Sequence, residues 1–364
     1  MTIQEICSLF VKDQEFVRVE EITIGNINRT YKVIYQNQEN VYEYVIQRIN
    51  TNIFTNPVGL MDNIVRVSKF LCENVEKNGL DSNKYVLKPL FTTKDNKPYI
   101  VDEEGFYWRC YIFVPNSITY NSTTDLSIIE KAGSAFGRFQ KNLDGFDAST
   151  LFETIPNFHN TASRYEAFKK AIKEDAFDRV KEVEEEIKDY LSFEEMAIKI
   201  TKYLSDGSLP LRVTHNDTKA NNVCFDKTTG ETLAVLDLDT VMPGAIAFDY
   251  GDAIRFIAST VIEDDPDYDA VDVDLAKYEA FTKGFVTEVK DRLTDLEKQT
   301  LNLGAFTMTA ECGCRFLTDY LLGDTYFKVK YPKHNIVRAK NQIAYAKAIL
   351  KRFDQMEEIL KKYL

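Results

Sequence analysis

Leu211-Arg-Val-Thr-His-Asn-Asp217-Thr-Lys-Ala-Asn-Asn222-Val-Cys-Phe225, then Asp226-Lys-Thr-Thr-Gly230, then Leu233-Ala-Val-Leu-Asp237-Leu-Asp239, is the stretch on which the fold turns. Two short apolar runs flank a polar turn, the pattern of a β-hairpin. A hairpin reverses the chain, so Asp237 is expected to return beside the loop that carries Asp217 and Asn222. Groups distant in sequence would then meet in space, with oxygen-bearing side chains of the kind that surround a hard cation.

Toward the N-terminus the chain reads mostly as strand. Val17 to Ile24 and Tyr31 to Tyr35 are β-rich runs on either side of the turn-prone Gly25-Asn-Ile-Asn28, and Val41 to Ile49 follows. Pro57 to Val75 changes period, with Leu60, Ile64, Val67, Phe70 and Leu71 at helical spacing. Tyr85 to Phe91, Pro98 to Val101 and Trp108 to Val114 return to strand, and Pro115-Asn-Ser117 breaks the pattern. Beyond it helices dominate. Leu126, Ile129, Ala132, Phe136 and Leu143 form one apolar stripe, and the charged segments 164–186 and 193–204 read as solvated helices. Helical periodicity resumes over 275–290, 296–322 and 336–363. The expected architecture is α+β and bilobal, with a β-rich N-terminal lobe over 1–114 and a mainly helical C-terminal lobe over 115–364.

Composition narrows the chemistry. A chain of 364 residues is longer than one core usually serves. Forty-five Lys and Arg against 57 Asp and Glu leave a net charge of -12, which argues against a sequence-independent grip on nucleic acid or on an anionic membrane. No apolar run is long enough to predict a membrane-spanning helix. The opening MTIQEICSLFVKDQEF carries acids where a signal peptide carries bases, so a cytoplasmic protein is expected. Cys7, Cys72, Cys110, Cys224, Cys312 and Cys314 form no C-x-x-C pair and read as reduced, mostly buried thiols. With only His159, His215 and His334, a multi-histidine metal site is excluded, and G-x-S-x-G, Walker and G-x-G-x-x-G patterns are missing.

Transfer of a phosphoryl group from ATP to a hydroxyl needs one carboxylate to orient the hydroxyl and accept its proton. It also needs an amide oxygen and a second carboxylate to hold Mg²⁺ on the phosphates. His215-x-Asp217, Asn222 five positions on, and Asp237 after the next strand supply those parts in the order of kinase-like folds. Asp217 is the expected base, Asn222 and Asp237 the metal ligands, and Lys219 a point charge for the γ-phosphate. His215 is expected to pack beneath the loop. Period-two alternation in Tyr44-Val-Ile-Gln-Arg48 puts Tyr44, Ile46 and Arg48 on one face, making Arg48 the expected grip on the α- and β-phosphates, with Asp62 as one candidate partner. The turn from Gly25 to Thr30 sits where a phosphate-covering loop belongs, or its amides face the substrate. The competing readings make Asp217 and Asn222 turn caps, Arg48 a surface arginine, and the whole chain a catalytically silent scaffold on the same fold.

Protein kinases follow the second Asp with Phe-Gly. Here Asp237-Leu-Asp239 runs into Thr-Val-Met-Pro-Gly and later Phe-Asp249-Tyr-Gly-Asp252, which resembles the aminoglycoside phosphotransferase and choline kinase superfamily, small-molecule kinases with a protein-kinase-like fold. That resemblance implies a place near the metals for Asp239, and for Asp249 and Asp252 a structural task at the next helix or the catalytic loop. Gly25-Asn-Ile-Asn-Arg-Thr-Tyr31, Tyr44-Val-Ile-Gln-Arg-Ile-Asn50, Pro156-Asn-Phe-His-Asn-Thr161, Asp237-Leu-Asp-Thr-Val-Met-Pro-Gly244 and Arg315-Phe-Leu-Thr-Asp-Tyr-Leu-Leu-Gly-Asp-Thr-Tyr326 are similar to one branch, the bacterial N-acetylhexosamine 1-kinases. The resemblance implies ATP- and Mg²⁺-dependent phosphorylation of the anomeric hydroxyl of N-acetylglucosamine or N-acetylgalactosamine, with Phe256, Arg315 and Tyr326 on the sugar. That branch often has Gly-His-Ile-Asn where this chain reads Gly25-Asn26-Ile27-Asn28, so Asn26 stands where a sugar-contacting His would be. The same parts would serve an aminoglycoside, choline, homoserine or another hydroxyl acceptor. On simpler readings Arg315 pairs with Glu311 or Asp319 along its helix and Phe256 belongs to the core.

Overall fold

The computed structural model describes residues 1–23 and 27–364, so Asn26 lies outside the described residues. In chain order the elements are α1 (Ile3–Ser8), β1 (Glu15–Ile22), β2 (Arg29–Gln36), β3 (Val41–Arg48), α2 (Pro57–Lys77), α3 (Ser82–Tyr85), β4 (Ile100–Val101), β5 (Tyr107–Ile112), β6 (Ser117–Ile118) and α4 (Leu126–Asn142). They continue with α5 (Thr161–Glu174), α6 (Glu184–Ala197), α7 (Lys199–Ser205), β7 (Arg212–Thr214), β8 (Val223–Asp226), β9 (Thr232–Val235), β10 (Met242–Gly244), α8 (Ile246–Ile257), α9 (Leu275–Val289), α10 (Asp295–Leu321) and α11 (His334–Lys361). Two compact units result. The first comprises Met1–Thr119, Thr150–Pro156 and Val223–Met242, the second Tyr120–Ser149, Asn157–Asn222 and Pro243–Leu364. No helix among the described residues is long and apolar enough to cross a membrane.

The first unit is built on a five-stranded sheet of order β1-β2-β3-β5-β4, with antiparallel pairing throughout. Alternation along β3 decides its two faces. Tyr44 and Ile46 join Val33, Tyr35, Trp108 and Cys110 in a core cluster that also takes Ile6, Cys7 and Phe10 from the N-terminal segment. α1 is only six residues long, and its fixed start comes from a capping box in which Thr2 and Glu5 exchange hydrogen bonds. The opposite parity, Gln47 and its cross-strand partner Arg109, faces the other way. A smaller sheet of order β6-β8-β9 contains the hairpin read from sequence, β8 and β9 joined through the Asp226–Gly230 turn.

The expected strand over Tyr85–Phe91 is not one. Asp81 caps a short helical turn at Ser82–Tyr85, and Pro89, which has no N–H to give, makes only an isolated bridge to Tyr111. The charged segment 164–186 is likewise not one helix. α5 stops at Asp175, which takes the left-handed conformation at φ 40°.

In the second unit the helices can cross closely because glycines meet at the crossings. A Cβ on Gly251 of α8 would lie 2.3 Å from the Gly304 carbonyl of α10, and one on Gly304 would lie 2.1 Å from the Ala247 oxygen. That contact brings the acidic face of α8 under the loop that follows β7.

Candidate functional site

In the second unit, the loop after β7 is tied down by two carboxylates of α8. Asp249 accepts from the backbone N–H of His215 at 2.9 Å and of Asn216 at 2.8 Å, and from Gln140 Nε2 at 2.6 Å. Burial pushes the Asp249 carboxyl up, and these donors oppose the rise. Asp252 accepts from the Thr218 N–H at 3.1 Å, while the Thr218 hydroxyl donates to the Asp249 carbonyl at 2.6 Å. Both acids are therefore scaffolding for the loop, as the sequence suggested. His215 is fully buried, edge-on to the rings of Phe136 and Phe139 at 5.7 Å each, and its Nδ1 accepts from the Asp217 backbone N–H at 3.3 Å.

Held this way, Asn216 adopts φ 62° immediately before Asp217, whose side chain is 24% exposed. Lys219 Nζ lies 2.6 Å from Asp217 Oδ1, and Asn222 Nδ2 donates to Asp217 Oδ2 at 3.1 Å and to its carbonyl at 2.8 Å. Burial alone would raise the Asp217 pKa, but the Lys219 ammonium and the Asn222 amide outweigh it and hold the carboxyl below the usual range. A carboxylate held ionised in this way is able to accept a proton. Because Asn222 commits its NH₂ to Asp217, its amide oxygen is left as the acceptor a cation would take. An amide oxygen with a carboxylate is the hard-oxygen donor set that suits Mg²⁺.

Phe256 is half-buried between two cations, with Arg255 at 3.9 Å and Lys219 at 5.1 Å from its ring centre. Arg255 is paired in turn with Asp252 at 3.0 Å and Glu263 at 2.5 Å. Arg315 pairs with neither Glu311 nor Asp319. Its guanidinium stands among the rings of Phe158, Tyr326 and Phe327 at 5.4, 5.6 and 5.5 Å, and its hydrogen bond is to the Tyr326 hydroxyl at 3.3 Å. Both expected partners are spent elsewhere. Glu311 receives His159 Nδ1 at 2.8 Å and the Thr161 hydroxyl at 2.5 Å. Asp319 accepts the consecutive backbone N–H groups of Thr325, Tyr326 and Phe327, together with Asn335 Nδ2 at 2.9 Å. That one carboxylate fixes the loop that presents Tyr326 and Phe327 to Arg315.

In the first unit, Asp237 ends the hairpin in the left-handed region at φ 55° and opens the turn Leu238–Thr240. The turn is anchored from several elements. The Asp239 carbonyl accepts from the Thr154 hydroxyl at 2.8 Å, and Asn63 of α2 donates to the Val241 and Phe152 carbonyls. Asp239, expected near the metals, has its carboxylate occupied. Oδ2 accepts from Asn28 Nδ2 at 2.6 Å and Arg109 Nη2 at 2.8 Å, and Oδ1 meets Arg109 Nη1 at 2.5 Å as an ion pair without hydrogen-bond alignment. Arg109 is itself clamped by Gln47 Oε1 at 3.0 and 2.8 Å. This network was missed in the sequence, where the one signal was a charged residue inside the apolar run Trp108-Arg-Cys-Tyr111.

Arg48, the expected phosphate grip, lies on the α1-covered face with its guanidinium 4.1 Å above the Phe106 ring, opposite the face that carries Arg109 and the Asp237–Thr240 turn. Asp62 pairs with Arg66 at 3.3 Å and leaves Arg48 alone.

The Arg109–Asp239 pair is 1% and 3% exposed at its side chains, so removing one member strands a buried charge. Arg109→Met is expected to cost about 3–5 kcal/mol, seen as a lower thermal midpoint. The double variant Arg109→Met/Asp239→Leu should recover most of the loss, and a double variant no more stable than the single one would refute the pairing.

A model of the phosphotransferase enzyme family matches residues 18–281. Among solved structures, choline kinase from Cryptosporidium parvum Iowa II is similar at a TM-score of 0.56 and 14% identity, covering 95% of this chain and 92% of that one. Spectinomycin phosphotransferase, solved with ADP and spectinomycin, matches at a TM-score of 0.51 and 14% identity over 96% of this chain and 98% of its own. Plasmodium vivax ethanolamine kinase matches at 0.50 and 12% identity, covering 89% and 82%. At such identities the likeness is one of fold, the α+β protein-kinase-like fold.

Proposed function

The chain belongs to the phosphotransferase enzyme family, as a small-molecule phosphotransferase acting on a hydroxyl, and from that premise we propose that it is an ATP-dependent kinase of the anomeric hydroxyl of an N-acetylhexosamine. On this reading Asp217 orients the sugar hydroxyl and takes its proton, while the γ-phosphorus exchanges its bond to ADP oxygen for one to the sugar oxygen. Asn222, through its amide oxygen, and Asp237, through its carboxylate, would hold Mg²⁺. The ion supplies charge neutralisation on the phosphates. Lys219, paired with Asp217 in the free protein, is close enough to the base to turn toward the transferred group. Phe256 offers a sugar face a ring, and Arg315 and Tyr326 offer donors.

The observation that favours a sugar over choline or an aminoglycoside is the filling of the aromatic wall. A site for an ammonium group needs vacant ring faces or carboxylates. Here Phe158, Tyr326 and Phe327 already surround the protein's own guanidinium. An uncharged acceptor rich in oxygen is the better complement.

Phosphorus NMR of the products, after incubation with ATP, Mg²⁺ and a mixture of N-acetylglucosamine, N-acetylgalactosamine, choline and kanamycin, tests this. The expected result is a new phosphate monoester coupled to an anomeric proton. Phosphocholine or phosphokanamycin with no sugar phosphate would overturn the sugar assignment.

A further inference from the structure

Arg315 is not the only unpaired cation at the aromatic wall. Arg164, on α5, directs Nη2 and Nε to the Phe158 carbonyl at 3.1 and 3.4 Å, so the same residue offers its backbone oxygen to one arginine and its ring to the other. Among the described residues neither arginine takes part in an ion pair. Glu311, the acid whose charge acts on Arg164, is fully buried and already bound by His159 and Thr161. Burial lowers the Arg164 pKa, and the charge of Arg315 beside it lowers it further. Two guanidiniums therefore repel each other across Phe158, and the attraction of Glu311 reaches them only without an ion-pair contact.

The segment that both arginines contact also reaches the loop of Asp217. His159, the neighbour of Phe158, approaches the Asn216 carbonyl with Nε2 at 3.4 Å, one residue before Asp217. Whatever hydroxyl compound reaches Asp217 beside this segment meets the field of both arginines.

We propose that Arg164 is a specificity-determining residue: with Arg315 it makes the acceptor wall cationic, so that acceptors bearing an ammonium group are rejected and acceptors presenting hydroxyl or acyl oxygens are taken. The proposal rests on the reading that Arg315 faces the acceptor. Repulsion of the wrong partner, rather than added contact with the right one, is how it discriminates. N-acetylglucosamine, glucose and glucosamine isolate the effect. Glucose is neutral and lacks the acyl group, and glucosamine differs from it by replacing one hydroxyl with an amine that is largely protonated at neutral pH.

The test is kcat/KM for these three sugars with wild type, Arg164→Met and Arg164→Lys at neutral pH and low salt. Wild type is expected to use glucosamine at least about tenfold less well than glucose. Arg164→Met should shrink that deficit at least about threefold with KM for ATP unchanged, and Arg164→Lys, which keeps the charge, should restore it. A structural role alone would lower all three sugars together and leave their ratio untouched. Equal use of glucose and glucosamine by wild type, or an unchanged ratio in Arg164→Met, overturns the inference. If no sugar turns over, the sugar assignment fails by itself. Efficient phosphorylation of choline or kanamycin would then defeat the charge argument too, whereas turnover of a neutral or acidic hydroxyl acceptor in preference to them would sustain it.

Discussion

Asp217→Asn is expected to lower kcat by about 10²–10⁴-fold, the range that loss of a positioned general base produces. The substitution keeps the shape of the side chain and its contact with Asn222, and removes the carboxylate proposed to take the hydroxyl proton. Lys219 loses its partner at 2.6 Å, yet its side chain is 39% exposed, so water can replace the carboxylate and the fold should survive. ADP affinity and thermal midpoint should remain close to wild type, which separates a chemical defect from a structural one. A kcat within about threefold of wild type would remove Asp217 from the role of base.

Asp237→Ala should also collapse turnover, about 10²–10³-fold or more, by a different route. Asp237 is proposed to supply the carboxylate to Mg²⁺, so its loss weakens the metal–nucleotide complex as well as the chemical step. The contrast with Asp239 is instructive. That neighbour is held by Arg109 and Asn28, and its loss should be felt first as instability. If Asp239 were the metal carboxylate instead, Asp239→Asn would leave stability intact and lower metal affinity, while Asp237→Ala would retain it.

The hairpin and the loop before it were legible because their signals are local: a polar turn between apolar runs, and a fixed spacing from Asp217 to Asn222. Long amphipathic helices such as α4, α9 and α10 were legible for the same reason. Arg48 shows where locality ends. Alternation correctly put Tyr44, Ile46 and Arg48 on one face, but period two cannot say which face a distant segment covers. Here six residues near the N-terminus bury Arg48's face, and the charge on the other face comes from β5. The task of Asp239 was hidden in the same way, since its partners Asn28 and Arg109 lie far away in the chain. Arg164 gave no signal at all, because its meaning depends on what Arg315 and Glu311 fail to offer it.

The most direct check on the proposal that Asp217 and Asp237 have divided tasks, the first toward the hydroxyl and the second toward the metal–nucleotide complex, is a titration of Mn²⁺ followed by electron paramagnetic resonance in the presence of ADP. Wild type and Asp217→Asn should bind the Mn²⁺·ADP complex with similar affinity. Asp237→Ala should bind it at least about tenfold more weakly, a loss that substitutions around metal ligands commonly reach. Equal affinity in all three proteins, or a loss confined to Asp217→Asn, would contradict the account.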